Sequence, residues 1–156
     1  MVCAPAKAHP LIRRYVWQLG SALDVPAMRA AAAELVGEHD FSSFAVNPKR
    51  EVESHVRRLH RLDVRQVDGL ICFNVVGSSF LYRMVRSLVG FLVHVGSGRA
   101  EPGATRRVLA ARDRSAAAQS APGQGLFLAK VFFEPDQWRS YEPALPPFEW
   151  SQCASS

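Results

Sequence analysis

Cysteine is scarce in this sequence. Cys3, Cys72 and Cys153 are three in number and far apart, so neither a disulfide framework nor a zinc knuckle is indicated, and a reducing compartment is expected. Long apolar runs are missing too: Arg83 and Arg86 interrupt the best candidate, Phe80 to Val95, short of the roughly 18 residues a membrane span needs. Met1 to Pro10 has no continuous apolar h-region and few arginines, which speaks against a leader or transit peptide. His55 and His60 lack a suitably spaced third ligand, so no metal site is expected. Together these absences predict a soluble intracellular protein, with mitochondrial, cytoplasmic and nuclear locations left open.

Acidic residues are the minority, 14 Asp and Glu against 19 Lys and Arg, for a formal charge of +5. That excess is a mild argument for a polyanionic partner. The 156 residues are 48% hydrophobic and 21% charged, which excludes a disordered or collagenous chain and fits one domain.

The pattern along the chain predicts a helix from Asp24 to Val36, with Asp24 as N-cap, Pro26 in its first turn, Gly37 as its stop, and Met28, Ala31, Ala32 and Leu35 on its apolar face. A loop through His39 to Pro48 follows. Two extended stretches, Arg57 to Gln66 and Leu70 to Val76, are joined by Asp68-Gly69, a dipeptide suited to a tight hairpin. Ser78-Ser79 offers an N-cap for a second helix carrying Phe80, Leu81, Met84, Val85, Leu88, Val89 and Leu92, ended by Gly96-Ser97-Gly98. A short helix at Gly103 to Arg112 and a strand at Leu126 to Phe133 complete the set; the strand is apolar on both parities. The expected fold class is α+β, an antiparallel sheet with helices packed on one face. Phe41, Phe44, Leu81, Met84, Val85, Leu88 and Leu128 are its expected centre. Residues 1–21 read as a linker or N-terminal extension, 22–134 as the domain, and 135–156 as a proline-containing tail. A sheet of three strands leaves an edge to cover, so the unit looks like part of something larger.

The chemistry-bearing residue is Arg86. It shares one face of the second helix with Arg83, Ser87 and Gly90. A guanidinium inside an otherwise apolar helix cannot lose its proton, so it must meet a carboxylate, a phosphate or carbonyls, or snorkel to water. A structural ion pair is the plainer alternative. Lys49, Arg50, Arg57, Arg58, Arg61 and Arg65 make the hairpin region densely basic, with Arg57, Arg61 and Arg65 of one parity. They form either a solvated sheet face or a surface for phosphates.

Four runs then occur in order: Gly37-Glu38-His39-Asp40-Phe41-Ser42-Ser43-Phe44, Phe80-Leu81-Tyr82-Arg83-Met84-Val85-Arg86-Ser87-Leu88-Val89-Gly90, Asp113-Arg114-Ser115, and Ala121-Pro122-Gly123-Gln124-Gly125-Leu126-Phe127-Leu128. Over about Ala22 to Phe133 the chain closely resembles the C-terminal half of TruA-type tRNA pseudouridine synthases. The resemblance implies the C-terminal half-domain of that fold. It also implies an isomerase that detaches uracil from its ribose in tRNA and rejoins it through carbon 5, with no cofactor and no metal. The family's catalytic Asp lies in an Arg-Thr-Asp motif of the N-terminal half, which is not found here. Arg86 matches the arginine that pairs with that Asp, and Leu126 or Leu128 matches a leucine of the pocket floor. The likeness also favours RNA contacts for Lys49, Arg50, Arg57, Arg58, Arg61, Arg65 and Arg83. Asp40 and Asp113 are expected to be structural, and Tyr15 a linker residue. The implied partners are tRNA or another structured RNA, the missing N-terminal half and a second copy in a homodimer; no membrane is implied. The proline-bearing tail hints at a eukaryotic member. An isolated chain of this kind is expected to be inactive, and a non-catalytic RNA-binding or regulatory module is the alternative.

Overall fold

The computed structural model of the chain describes residues 1–4, 8–46, 53–101 and 103–145. In chain order the elements are β1 (Val2–Ala4), β2 (Trp17–Gln18), α1 (Val25–Ala33), β3 (Gly37–Asp40), β4 (Val56–Val67), β5 (Leu70–Gly77), α2 (Met84–Gly96) and α3 (Ala104–Ala111), with single 3-10 turns at Ser42–Phe44, Arg114–Ala116 and Gln137–Ser140. The fold class is α+β.

The β4–β5 hairpin forms where expected. Asp68 and Gly69 both have positive φ, 49° and 75°, the conformation a two-residue turn between twisted strands requires. Its strands pair from Val67 opposite Leu70 back to Leu59 opposite Gly77. The sheet has five strands in the order β2-β1-β5-β4-β3. It is mixed rather than wholly antiparallel, because β1 and β2 run parallel.

Alternation along β5 sorts its side chains between two faces. Ile71 and Phe73 join the main core with Met28, Leu35, Phe41, Phe44, Met84, Leu88 and Leu92 beneath α1 and α2. Leu70 and Cys72 join Val2, Ala4, Ile12 and Val16 in a smaller cluster. At about 25 cal/mol per Å² of apolar surface removed from water, the large side chains of the main core are the chief stabilising contribution.

Five expectations change. Residues 1–21, read as a linker, supply β1 and β2, and Val2, Cys3, Ala4, Ile12 and Val16 are buried. The His39–Pro48 loop begins instead with β3, which lies antiparallel to β4. The second helix starts at Met84, not at the Ser78-Ser79 cap, because Arg83 takes a left-handed φ of 58° and sets the first turn; Val85 is only half-buried. Leu126 to Phe133 lies outside every ladder. With no neighbouring strand among the described residues to bury its two faces, Leu128 and Phe133 stay 85% and 88% exposed. Finally, a one-residue bulge between Leu59 and Arg61 reverses the alternation of β4. Arg57 therefore does not share a face with Arg61 and Arg65, since parity holds only along an unbroken strand.

Candidate functional site around Arg86

Helix α2 is buried on two sides. Leu88, Val89, Phe91 and Leu92 enter the core, and on the opposite side Ser87 and Gly90 are also covered. The cover is the segment through residues 117–121. Arg114 organises it by donating from Nη1 to the carbonyls of Ala117 (3.1 Å) and Ala118 (3.0 Å) and from Nη2 to Ser120 Oγ (3.0 Å). The segment crosses α2 at Gly90, where even a Cβ would stand 2.1 Å from the Gln119 carbonyl oxygen. Glycine is required there by the close approach of two backbones.

That crossing places Arg86. Its Nε donates to the Ala121 carbonyl at 2.6 Å, the Ala121 N–H donates back to the Arg86 carbonyl at 2.9 Å, and Ser87 Oγ meets Ser120 Oγ at 2.8 Å. One edge of the guanidinium is thereby fixed. Among the described residues no carboxylate pairs with Arg86. It lines a cavity of about 520 Å³ together with Gly90, His94, Arg99, Gln119 and Ser120, and none of the described lining residues is acidic. A half-buried planar cation that is anchored at Nε and lines a polar cavity can hold a carboxylate or phosphate in one orientation.

Leu126 and Leu128 do not share that cavity. They line a separate apolar groove of about 840 Å³ that β5 borders. Gly123 lies between the two regions; a Cβ there would be 3.8 Å from Arg86 Nη1.

The basic residues are dispersed, and most are already engaged. Lys49 and Arg50 lie outside the described residues. Arg57 donates to the main-chain carbonyls of Ser54 and Val56, and Arg58 pairs with Glu38 at 3.1 Å, both exposed. Arg61 sits 3.4 Å from Asp63 and donates to the Tyr141 carbonyl at 2.7 Å. Arg65 faces Asp63 and Glu142 at longer range. Arg83 is exposed and packs 5.2 Å from the ring centroid of exposed Tyr82.

The two aspartates have local partners. Asp40 accepts bonds from the Ser42 hydroxyl and N–H and pairs with Arg112 at 3.2 Å; the Ser42 hydroxyl is the largest influence and holds its carboxyl below the ordinary range, burial opposes it next, and the Ser42 amide and Arg112 add smaller lowering effects. Asp113 is held down in the same way by Ser115. Two parts of the site were not anticipated, the Ala121 carbonyl that orients Arg86 and the Ser87–Ser120 contact; nor was the Trp138 ring stacked on His60 at 4.6 Å, which lines the separate apolar groove. Gly90, spaced one turn from Arg86, is the one signal in the sequence of a segment crossing there.

Comparison with known proteins agrees with this architecture. A family model described as tRNA pseudouridine synthase matches residues 31–134. The tRNA pseudouridine synthase A of Paraburkholderia xenovorans (strain LB400) is 41% identical over 147 residues, 94% of this chain and 53% of the relative. That of Fervidobacterium nodosum is 46% identical over 122 residues, 78% of this chain and 49% of the relative. That of Bacillus subtilis (strain 168) is 39% identical over 128 residues, 81% and 51% respectively. The chain spans about half the length of the curated relatives it matches. With Arg86, Gly90 and the Gly123-Gln124-Gly125-Leu126 turn within the matched stretch, the chain belongs to the TruA-type tRNA pseudouridine synthase family.

Proposed function

We propose that this chain is the C-terminal part of an enzyme that isomerises uridine to pseudouridine in tRNA, with residues 22–134 as its body, residues 1–21 adding β1 and β2 to the sheet of that body, 135–156 as its tail, and the catalytic carboxylate supplied by an N-terminal half. The observation that carries the proposal is Arg86: a guanidinium anchored on one edge by the Ala121 carbonyl and without a carboxylate partner among the described residues. A nucleophilic carboxylate in a partly buried pocket tends to take up a proton. A fixed guanidinium beside it keeps it ionised and aimed. Arg86 is on this account a positioning residue for an Asp that arrives from the other half, while Leu126 and Leu128 form the pocket floor once that half is seated.

Arg83 is the arginine assigned most directly to RNA, since it is exposed and lies beside Tyr82; a cation next to an aromatic face suits contacts to phosphate and base. Arg58 joins it by exchanging the exposed Glu38 for phosphate. Arg57, Arg61 and Arg65 stay engaged within the fold and grip RNA less, and Lys49 and Arg50 extend the basic stretch. Association of two assembled units as a homodimer belongs to the same proposal and is read by sedimentation.

The test is tritium release from tRNA carrying uridine labelled at carbon 5. The isolated chain releases none, and the chain joined to the N-terminal half of the Paraburkholderia relative releases tritium. Turnover by the isolated chain places the carboxylate within these residues and defeats the proposal.

A further inference from the structure

None of Asp113, Arg114 and Ser115 lines the cavity around Arg86, yet the run is tied both to the core and to the segment that crosses α2. Helix α3 ends where Arg112 takes a left-handed φ of 49°, and the chain passes into the 3-10 turn Arg114–Ala116. Asp113 fixes that turn at its start. Its carboxylate accepts the Ser115 N–H at 2.9 Å, and its own N–H donates to Ser43 Oγ at 3.0 Å. Ser43 is fully buried and donates in turn to the Val108 carbonyl at 2.6 Å. The backbone that carries Arg114 is therefore pinned to α3 and to the Ser42–Phe44 turn.

The chain that leaves this turn has few apolar means of holding its place. Residues 117–120 lie outside every helix and ladder. Ala116, Ala117 and Ala118 are too small to bury much apolar surface, and Gly90 offers the segment no side chain to rest on. Polar bonds set its position instead. Three of them come from one group, for Arg114 gives Nη1 to the Ala117 and Ala118 carbonyls and Nη2 to Ser120 Oγ. The others join the segment to α2: the Ser87–Ser120 contact and the pair of bonds between Arg86 and Ala121. Ser120 belongs to both sets, so the fork of Arg114 and the anchor of Arg86 meet at one hydroxyl. Among the described residues Arg114 has no acidic partner. Its charge serves these acceptors, and a planar guanidinium holds several acceptors at fixed angles where a single-point donor does not.

We infer that Arg114 is a positioning residue for the reaction: it holds the 117–121 segment where the Ala121 carbonyl aims Arg86, and it acts on turnover through Arg86. This rests on the functional proposal above, and adds to it the residue that supports the anchor. Without the fork the segment keeps its root at Asp113 and loses the three bonds that fix its course toward α2. The Ala121 carbonyl is then loosely held, and the Arg86 guanidinium with it. A misplacement of about 1 Å costs on the order of a hundredfold in rate, so an anchor loosened rather than removed implies a fall of about ten- to thirtyfold.

The experiment joins exchange to kinetics. In the isolated chain, nuclear magnetic resonance follows hydrogen exchange at the Ala121 amide and at the Arg86 Nε–H. Arg114→Ala should speed both by about tenfold or more while the amides of Leu88 to Leu92 stay protected. In the chain joined to the N-terminal half of the Paraburkholderia relative, tritium release is measured for the parent, Arg114→Ala, Arg86→Lys and the double variant. Arg114→Ala should lower kcat by about ten- to thirtyfold with KM for tRNA changed by less than about twofold. In the Arg86→Lys background it should cost less than about a further threefold, because the group it serves is already gone. Ser120→Ala removes the shared hydroxyl without a change of charge, and carries the test if Arg114→Ala does not fold: a fall of about threefold or more that vanishes with Arg86→Lys. An equal fall in both backgrounds makes Arg114 a residue of general stability and overturns the inference. So does a rise in KM at constant kcat, which makes it an RNA contact. Turnover separates the two proposals. A joined parent that releases no tritium removes the function, and exchange then decides alone whether Arg114 holds Arg86; turnover with unchanged exchange in Arg114→Ala leaves the function standing and removes the role of Arg114.

Discussion

Replacing Gly90 by alanine tests how the site is built. A Cβ at this position would stand 2.1 Å from the Gln119 carbonyl oxygen and 3.1 Å from the Ala121 N. Both are backbone atoms, so the crossing segment must lift. Lifting it strains or breaks the bond from Arg86 Nε to the Ala121 carbonyl, the return bond from the Ala121 N–H, and the Ser87–Ser120 contact. At roughly 1 kcal/mol net for each neutral bond and about 2 for the charged one, the loss is on the order of 4 kcal/mol. Alanine regains about 1 kcal/mol of helix propensity, and partial relaxation of the segment recovers some of the rest. A net destabilisation of about 2–3 kcal/mol follows, or a melting temperature lower by roughly 5–10 °C. Urea titration of the two proteins gives the energy, and exchange at the Ala121 amide shows whether the segment has lifted. A Gly90→Ala protein as stable as the parent, or more stable, with the Ala121 amide still protected, would refute the close-crossing account of Arg86.

Other consequences are smaller or more local. Asp40→Asn should cost about 1 kcal/mol through the weakened turn at Ser42 and lost pairing with Arg112. Because the folded carboxyl lies below its ordinary value of 3.8, its contribution is present above that pH and disappears as pH falls through the folded value, so melting curves of the parent and the Asp40→Asn variant should converge toward low pH. Burial pushes the Cys3 thiol up to about 12 and the Cys72 thiol in the same direction, so peptide mapping after iodoacetamide at about pH 8 should find both unmodified until the protein is unfolded. Arg61→Ala should lower stability by about 1–2 kcal/mol by stranding Asp63 and the Tyr141 carbonyl, as urea titration would show. Arg83→Ala should leave stability nearly unchanged and reduce the salt dependence of tRNA binding by about one ion, as filter binding over a salt series would show.

Local signals carried much of the architecture. Asp24 caps α1 by accepting the Ala27 N–H at 2.9 Å, Asp68-Gly69 turns the hairpin, and Gly98 follows α2 with a φ of 72°; each depends on residues a few positions apart. The failures are long-range. Whether Leu126 to Phe133 becomes a strand depends on a neighbour, not on its own composition. The bulge at Leu59–Arg61 arises from pairing two residues of β4 across a single step of β5, which no alternation within β4 reveals. The basic face dissolved for that reason, because Asp63 stands between Arg61 and Arg65 on the same strand, and because Glu38 and Glu142 come from elsewhere in the chain. At the candidate site, Arg86 stood out as a lone cation in an apolar helix, whereas its anchor at Ala121 is 35 residues distant and a main-chain carbonyl, invisible to side-chain chemistry.

The central claim is that Arg86 orients a carboxylate brought by another half of the enzyme. Its most direct test is the rate of tritium release by the joined protein with Arg86 and with Arg86→Lys, each checked for an unchanged melting temperature and unchanged tRNA affinity. An ammonium cannot reproduce the planar fork that bonds Ala121 and a carboxylate together. Loss of such a charged contact at the reacting group costs about 3 kcal/mol, roughly a hundredfold in turnover. A hundredfold fall with binding intact is the predicted result, and turnover in the lysine variant equal to that of the parent would contradict the account.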